Sequence, residues 1–209
     1  MNKFKPLQRL NREQSREQTR ARLLAAAHAV FIEKGFALAS VEDITAAAGY
    51  TRGAFYSNFR DKTQLFIGVL RGESAAIDDD LRQMLAAPVS DAGALREKMA
   101  GYYGRLYTND ISSVLWMEAE VVAARDPRFR ETLALFLAER HGRLATFVDT
   151  YARLAGACPT APAAHIAIGL MAVGEGMRLA HRCDPLRIDA GTVGAVLAWF
   201  INAAIAPPV

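Results

Sequence analysis

Apolar residues recur along this chain at intervals of three and four, and no alternating strand pattern persists, so the sequence predicts an all-α protein of about nine helices. Ser15-Arg-Glu-Gln18 has the form of a capping box. Leu23, Leu24, Ala27, Val30 and Phe31 follow at helical spacing until Gly35 stops the first helix. Ser40, with Asp43 three residues on, caps a short second helix that turns Val41, Ile44 and Ala48 inward. Gly49-Tyr50-Thr51 reads as a turn, and Thr51 caps a third helix over about residues 52–59, with Phe55 and Phe59 on its buried stripe. Asp61, with Gln64 behind it, opens a fourth helix reaching about Leu85, short of Pro88.

Beyond residue 90 the pattern gives helices at about 92–108, 111–124, 128–154, 161–181 and 189–205, separated by Asn109-Asp110, Asp126-Pro127, Cys158-Pro159 and Asp184-Pro185. The last two carry long apolar stripes: Ile166, Leu170, Val173 and Met177 on one, and Val193, Val196, Leu197, Phe200 and Ile201 on the other. Gly169, Gly174 and Gly176 interleave the first stripe and would admit a closely packed helix.

Charge is unevenly spread. Residues 1–62 hold eleven Lys and Arg against six acids, while the remainder is slightly acidic, so the front end is the one suited to a polyanion. Residues 1–14 form a basic arm that either reaches DNA or is a solvated tail. The opening residues lack the apolar run of a secretory signal, and no stretch is apolar for long enough to span a bilayer. A cytoplasmic protein without membrane contact is expected. Cys158 and Cys183 lack metal-site spacing and read as buried or inert thiols. No metal or cofactor is expected, and the absence of a nucleophile elbow, phosphate loop or zinc motif argues against an enzyme.

Residues 40–62 carry the chemistry. A helix, a turn centred on Gly49 and a second short helix with a small, polar and aromatic outer face describe a helix-turn-helix, whose second helix enters a major groove. Gly53 and Ala54 would let its backbone approach base edges, and Arg52 can donate two hydrogen bonds to guanine O6 and N7. Thr51, Tyr56, Asn58 and Lys62 can donate to phosphates, and Ser40 joins the set that faces DNA.

The run Gly49-Tyr-Thr-Arg-Gly-Ala-Phe-Tyr-Ser-Asn-Phe-Arg-Asp-Lys-Thr-Gln-Leu-Phe66, with Phe31-Ile-Glu-Lys-Gly-Phe36 upstream, resembles the signature of the TetR/AcrR family of transcriptional regulators. The resemblance implies base contacts from Arg52, Gly53 and either Tyr50 or Ser57, and phosphate contacts from Thr51, Tyr56 and Lys62. It also implies a homodimeric repressor that releases a palindromic operator when a small molecule binds the C-terminal domain. Tyr50 stands where an aliphatic residue is usual, and Ser57-Asn58 where aromatic or His residues are frequent, which leaves the DNA sequence open.

The expected organisation is a helix-turn-helix domain at 1–62 and a helical regulatory, ligand-binding and dimerisation domain at 63–209. Tyr102, Tyr103, Tyr107, Trp116, Met117, Phe136, Phe147 and Tyr151 are candidates to border an apolar pocket, with Glu118, Glu120 and Glu175 to meet a polar or cationic ligand. For any single aromatic plain core is the commoner role, while as a group some of them are expected to border a pocket. The apolar stripes of the last two helices are the candidate interface of a two-fold dimer. Asp78-Asp79-Asp80 reads as a solvated helix face.

Overall fold

The computed structural model describes residues 11–86, 92–108 and 113–206. Among these the order is α1 (Arg12–Leu38), α2 (Val41–Ala48), α3 (Arg52–Tyr56), α4 (Lys62–Ala86), α5 (Ala92–Thr108), α6 (Ser113–Arg125), α7 (Pro127–Leu154), β1 (Cys158–Pro159), α8 (Ala163–Cys183), α9 (Ala190–Ala204) and β2 (Ile205–Ala206). The all-α class stands. The one exception is a two-residue antiparallel ladder pairing Cys158 with Ala206 and Pro159 with Ile205. No described helix is long and apolar enough to cross a membrane. The first ten residues of the basic arm lie outside the described residues.

The chain divides into two compact units, Met1–Gly72 with Val114–Val122, and Glu73–Ser113 with Ala123–Val209. The first thus runs past the boundary expected at residue 62 and also takes in the middle of α6. Its α1 starts one turn earlier than Ser15, because Asn11 repeats the same signal: its Oδ1 accepts from the Gln14 amide at 2.8 Å and Gln14 Oε1 accepts from the Asn11 amide at 3.0 Å. Gly35 breaks the helical geometry as expected, with φ 77° and ψ 158°, a region open essentially to glycine alone. Gly49 ends α2 in the left-handed conformation, φ 71°.

α3 has only five helical residues, too few to persist alone. It is held by burial of Phe55 and Phe59, which are 0% and 1% exposed, against a core including Leu23, Ala27, Phe31, Ile44, Leu65 and Phe66. Two α1 arginines add to this. Arg20 Nη1 donates to the Asn58 carbonyl at 3.2 Å with its guanidinium 4.3 Å from the Phe59 ring centre, and Arg16 Nη2 reaches the Ser57 carbonyl at 3.5 Å.

In the second unit, Leu95, Met99, Tyr103, Val148, Tyr151, Ile166, Leu170, Val193, Leu197 and Ile201 form one buried cluster. α5 and α9 approach backbone to backbone, where a Cβ on Gly104 would lie 2.7 Å from the Ala190 carbonyl oxygen and one on Gly194 2.9 Å from that of Ala100. This geometry corrects the dimer-interface expectation. Ile166, Leu170, Val193, Leu197 and Ile201 are between 0% and 7% exposed and belong to the subunit's own core. Val173, Met177 and Phe200 are half-buried and pack onto the same cluster, and Val196 is half-buried as well. Both helices are apolar on a second side as well: Ile168, Ala172, Gly176 and Leu179 lie exposed on α8, and Ala195 and Trp199 on α9. Periodicity finds a stripe but does not say which of two stripes a neighbouring helix takes. Both cysteines, expected to be buried or inert, are exposed.

Candidate nucleic-acid interface and ligand cavity

The sequence places a small polar face on α3 by alternating its roles. Phe55 is fully buried, whereas Thr51, Arg52, Gly53, Tyr56 and Ser57 on either side of it are exposed. Thr51 caps α3 by accepting from the Ala54 amide at 3.4 Å, and Tyr56 packs edge-on against Phe55 with ring centres 5.1 Å apart. This anchors the Tyr56 ring while the residue as a whole stays half exposed. Tyr50 and Ala54 are half-buried. Ser40 caps α2, its hydroxyl accepting from the Asp43 amide at 3.0 Å and donating to the Asp43 carboxylate at 2.7 Å. Asp43 also takes a 2.7 Å bond from Lys34, and Lys34 first and Ser40 second hold its carboxyl far below the ordinary value of 3.8.

Arg52 lies between two neighbours. Its Nη1 is 3.0 Å from Glu42 Oε1 on α2, and its guanidinium carbon is 6.0 Å from the Tyr56 ring centre. Tyr56 first, and the Glu42 charge second, raise its already high pKa. The guanidinium is nevertheless exposed, at 63% for the side chain.

Two expected phosphate donors are otherwise engaged. Asn58 Nδ2 donates to the Ala54 carbonyl at 2.8 Å, closing the last turn of α3. Lys62 Nζ donates to the carbonyls of Phe36 at 2.6 Å and Ala39 at 2.8 Å and sits 4.5 Å from the Phe36 ring centre. α1 has no basic residue in its last turn, so Lys62 supplies the cation that this negative helix end calls for. Burial lowers its pKa, and the Glu118 charge opposes that shift. Glu118 itself, expected near a ligand, accepts from the Phe36 amide at 2.7 Å. A Cβ on Gly35 would stand 2.5 Å from its Oε1, so Gly35 is required both by its backbone angles and by this carboxylate. Sequence spacing gave no sign of the Lys62–Glu118 arrangement, because its parts are 56 positions apart.

A cavity of about 430 Å³ opens in the second unit between α4 and α7, lined by Asp78, Leu81, Arg82, Leu85, Arg143, Leu144, Thr146, Phe147 and Thr150. Its size suits a small organic ligand. Of the pocket candidates named from the sequence, Phe147 alone lines this cavity. Tyr103, Phe136 and Tyr151 are buried core, Tyr102 is half-buried, and Tyr107 has no described side chain. Trp116, Met117 and Glu120 belong to the other unit, with Trp116 buried and the other two exposed. Glu175 is paired with Arg178, and Arg140 stands 3.9 Å away, so its charge already faces cations. Asp78 is no idle surface carboxylate: Arg143 Nε donates to it at 2.5 Å and Arg143 Nη2 reaches the buried Ser74 hydroxyl at 3.3 Å. A triplet of aspartates on a helix gives no sequence sign that its first member faces inward.

Against this geometry, residues 23–69 match the family described as bacterial regulatory proteins, tetR family. Over that segment the chain is similar to the TetR family. The chain is similar to the transcriptional activator FasR of Mycolicibacterium smegmatis, 27% identical over 88 residues, or 42% of this chain. It is likewise similar to the transcriptional regulator AcrR of Shigella flexneri, 33% identical over 86 residues, or 41% of this chain. Each match spans 40% of the relative's own length. The solved structure of a TetR-family regulator from Cytophaga hutchinsonii shares the fold with a TM-score of 0.69 at 20% identity, covering 96% of this chain and all of that one. The family is one of DNA-binding regulators rather than enzymes. The matched segment contains α2, Gly49, α3 and the Lys62 cap, and excludes the cavity.

Proposed function

We propose that this chain is a ligand-responsive transcription regulator, a homodimeric repressor that binds a palindromic operator and releases it when a small molecule binds. The observation that carries the reading is the division of α3: Phe55 is fully buried, while Thr51, Arg52, Gly53 and Tyr56 are turned to solvent beside a turn of helix-turn-helix form. A helix anchored on one side and polar on the other can present Arg52 to guanine while Thr51 and Tyr56 donate to phosphates. Lys62 is not in that set, since carbonyls of α1 already use its donors.

The exposed apolar residues Ile168, Leu179 and Trp199 support a dimer in which α8 and α9 face a second copy. Two heads would then address half-sites about 34–36 Å apart on one face of the duplex. For release, α4 is the connecting element. Its first residue, Lys62, holds the end of α1, and its residues Asp78, Leu81, Arg82 and Leu85 line the cavity. A ligand that binds more tightly to a second position of α4 shifts the population toward it, and the heads lose their spacing. Selection of bound duplexes from a random pool tests the proposal. A palindromic consensus bound two chains to one duplex supports it; binding governed by salt alone, without enrichment, overturns it.

A further inference from the structure

Arg52 has a neighbour that the DNA-binding reading leaves unused. Glu42 is an exposed acid on the positively charged unit, and it stands on α2 with Oε1 3.0 Å from Arg52 Nη1. On a surface that meets phosphate, a carboxylate weakens attraction for every sequence alike. Nor does the pair contribute much to folding, because both side chains are more than half exposed, at 63% and 58%, and such pairs are well screened. Placement at the root of the one arginine on α3 points to recognition instead.

We propose that Glu42 is a specificity-determining, positioning residue: it holds the Arg52 guanidinium by one edge so that the other edge is presented to guanine, and it discourages that guanidinium from settling on a phosphate. The proposal rests on the reading of α3 as the groove-bound helix. A free arginine side chain has many rotamers and always finds phosphates within reach, which strengthens binding without distinguishing sequences. A guanidinium fixed at Nη1 retains its remaining donors in their planar fork, and their geometry matches O6 and N7 of one base. Tyr56 lies beside the same guanidinium, with its ring centre 6.0 Å from the guanidinium carbon, and narrows the space in which it can move. Glu42 therefore exchanges general affinity for discrimination.

The test uses the full-length chain and three variants, Glu42→Gln, Arg52→Ala and the double variant, each titrated on the duplex that wild type selects, on single-base variants of it and on random duplex, at several salt concentrations. With Glu42→Gln, affinity for random duplex rises and the salt slope steepens by about 0.9, the value of one added phosphate contact. Discrimination at one base pair per half-site falls by about tenfold, the order of a lost bidentate base contact. In the Arg52→Ala background the Glu42→Gln change leaves base preference unaltered, since the residue through which it acts is gone. Thermal unfolding of the Glu42→Gln chain stays at the wild-type temperature, which separates this role from a structural one. Unchanged discrimination in Glu42→Gln, with wild type still selecting a sequence, overturns the role of Glu42 and leaves the DNA-binding reading intact. Equal loss of discrimination with and without Arg52 also overturns it. If wild type selects no sequence, both fall together.

Discussion

Replacing Gly35 with alanine probes the joint between α1, α4 and the α6 segment of the first unit. The backbone there has φ 77° and ψ 158°, and holding an L residue in that region costs about 1–3 kcal/mol. The new Cβ would also lie 2.5 Å from Glu118 Oε1, so the carboxylate must withdraw. Its 2.7 Å bond from the Phe36 amide then goes, and a lost hydrogen bond to a charged group costs about 1.5–3 kcal/mol. With some relaxation of the α1 end, Gly35→Ala is expected to destabilise the first unit by about 3 kcal/mol. Trp116 is buried in this unit and Trp199 is exposed in the other, so a Trp199→Phe background makes tryptophan fluorescence report the first unit alone. Urea unfolding should show a lower midpoint with an unchanged slope. In a Glu118→Ala background the same glycine change should cost only the backbone part, about 1–2 kcal/mol less than with Glu118 present. A cost below about 0.5 kcal/mol, or one identical with and without Glu118, would refute the reasoning.

The other expectations concern acid stability, assembly and the cavity. Asp43 has its pKa lowered in the fold, so the stability it contributes is present above the ordinary value of 3.8 and is lost as pH falls below it. Unfolding midpoints of wild type and Asp43→Asn should therefore draw together progressively as pH falls below 3.8, and a gap that stays constant would speak against the Lys34–Asp43–Ser40 arrangement. Trp199→Glu places a charge on the exposed stripe of α9 and should give folded monomers in sedimentation, whereas Leu197→Glu, at a fully buried position, should fail to fold. Dimers that persist in Trp199→Glu place the interface elsewhere. Leu144→Trp fills part of the α4–α7 cavity and should weaken binding of the apolar fluorophore N-phenyl-1-naphthylamine by about tenfold, a loss of about 1.4 kcal/mol. Unchanged dye binding means that the cavity is not where apolar molecules enter.

Local signals in the chain were legible and long-range ones were not. Ser40, Gly49, Thr51, Phe55 and Phe59 each carry their meaning in the next few residues, which is why the order of α2, turn and α3 could be read directly. Glu118 at the Phe36 amide and Lys62 at the Phe36 carbonyl are contacts across 82 and 26 positions, and no periodicity encodes them. The aromatic residues of the body were ambiguous for a related reason. Tyr103, Phe136 and Tyr151 have the composition of a pocket wall, but the same side chains fill cores, and the walls of the cavity fell to Leu81, Arg82, Leu144 and Thr146. On α8 and α9 the inner and outer stripes are both apolar, so burial of Leu197 and exposure of Trp199 follow only from which helices pack beside them.

The central claim, that the exposed side of α3 reads bases in a groove, is tested most directly by comparing wild type with Arg52→Ala on every single-base variant of the duplex that wild type selects. The account predicts a loss of about tenfold or more confined to one guanine-containing base pair in each half-site, placed symmetrically about the two-fold centre. A loss of affinity spread evenly over all sequences would mean that Arg52 only neutralises phosphate, and would contradict it.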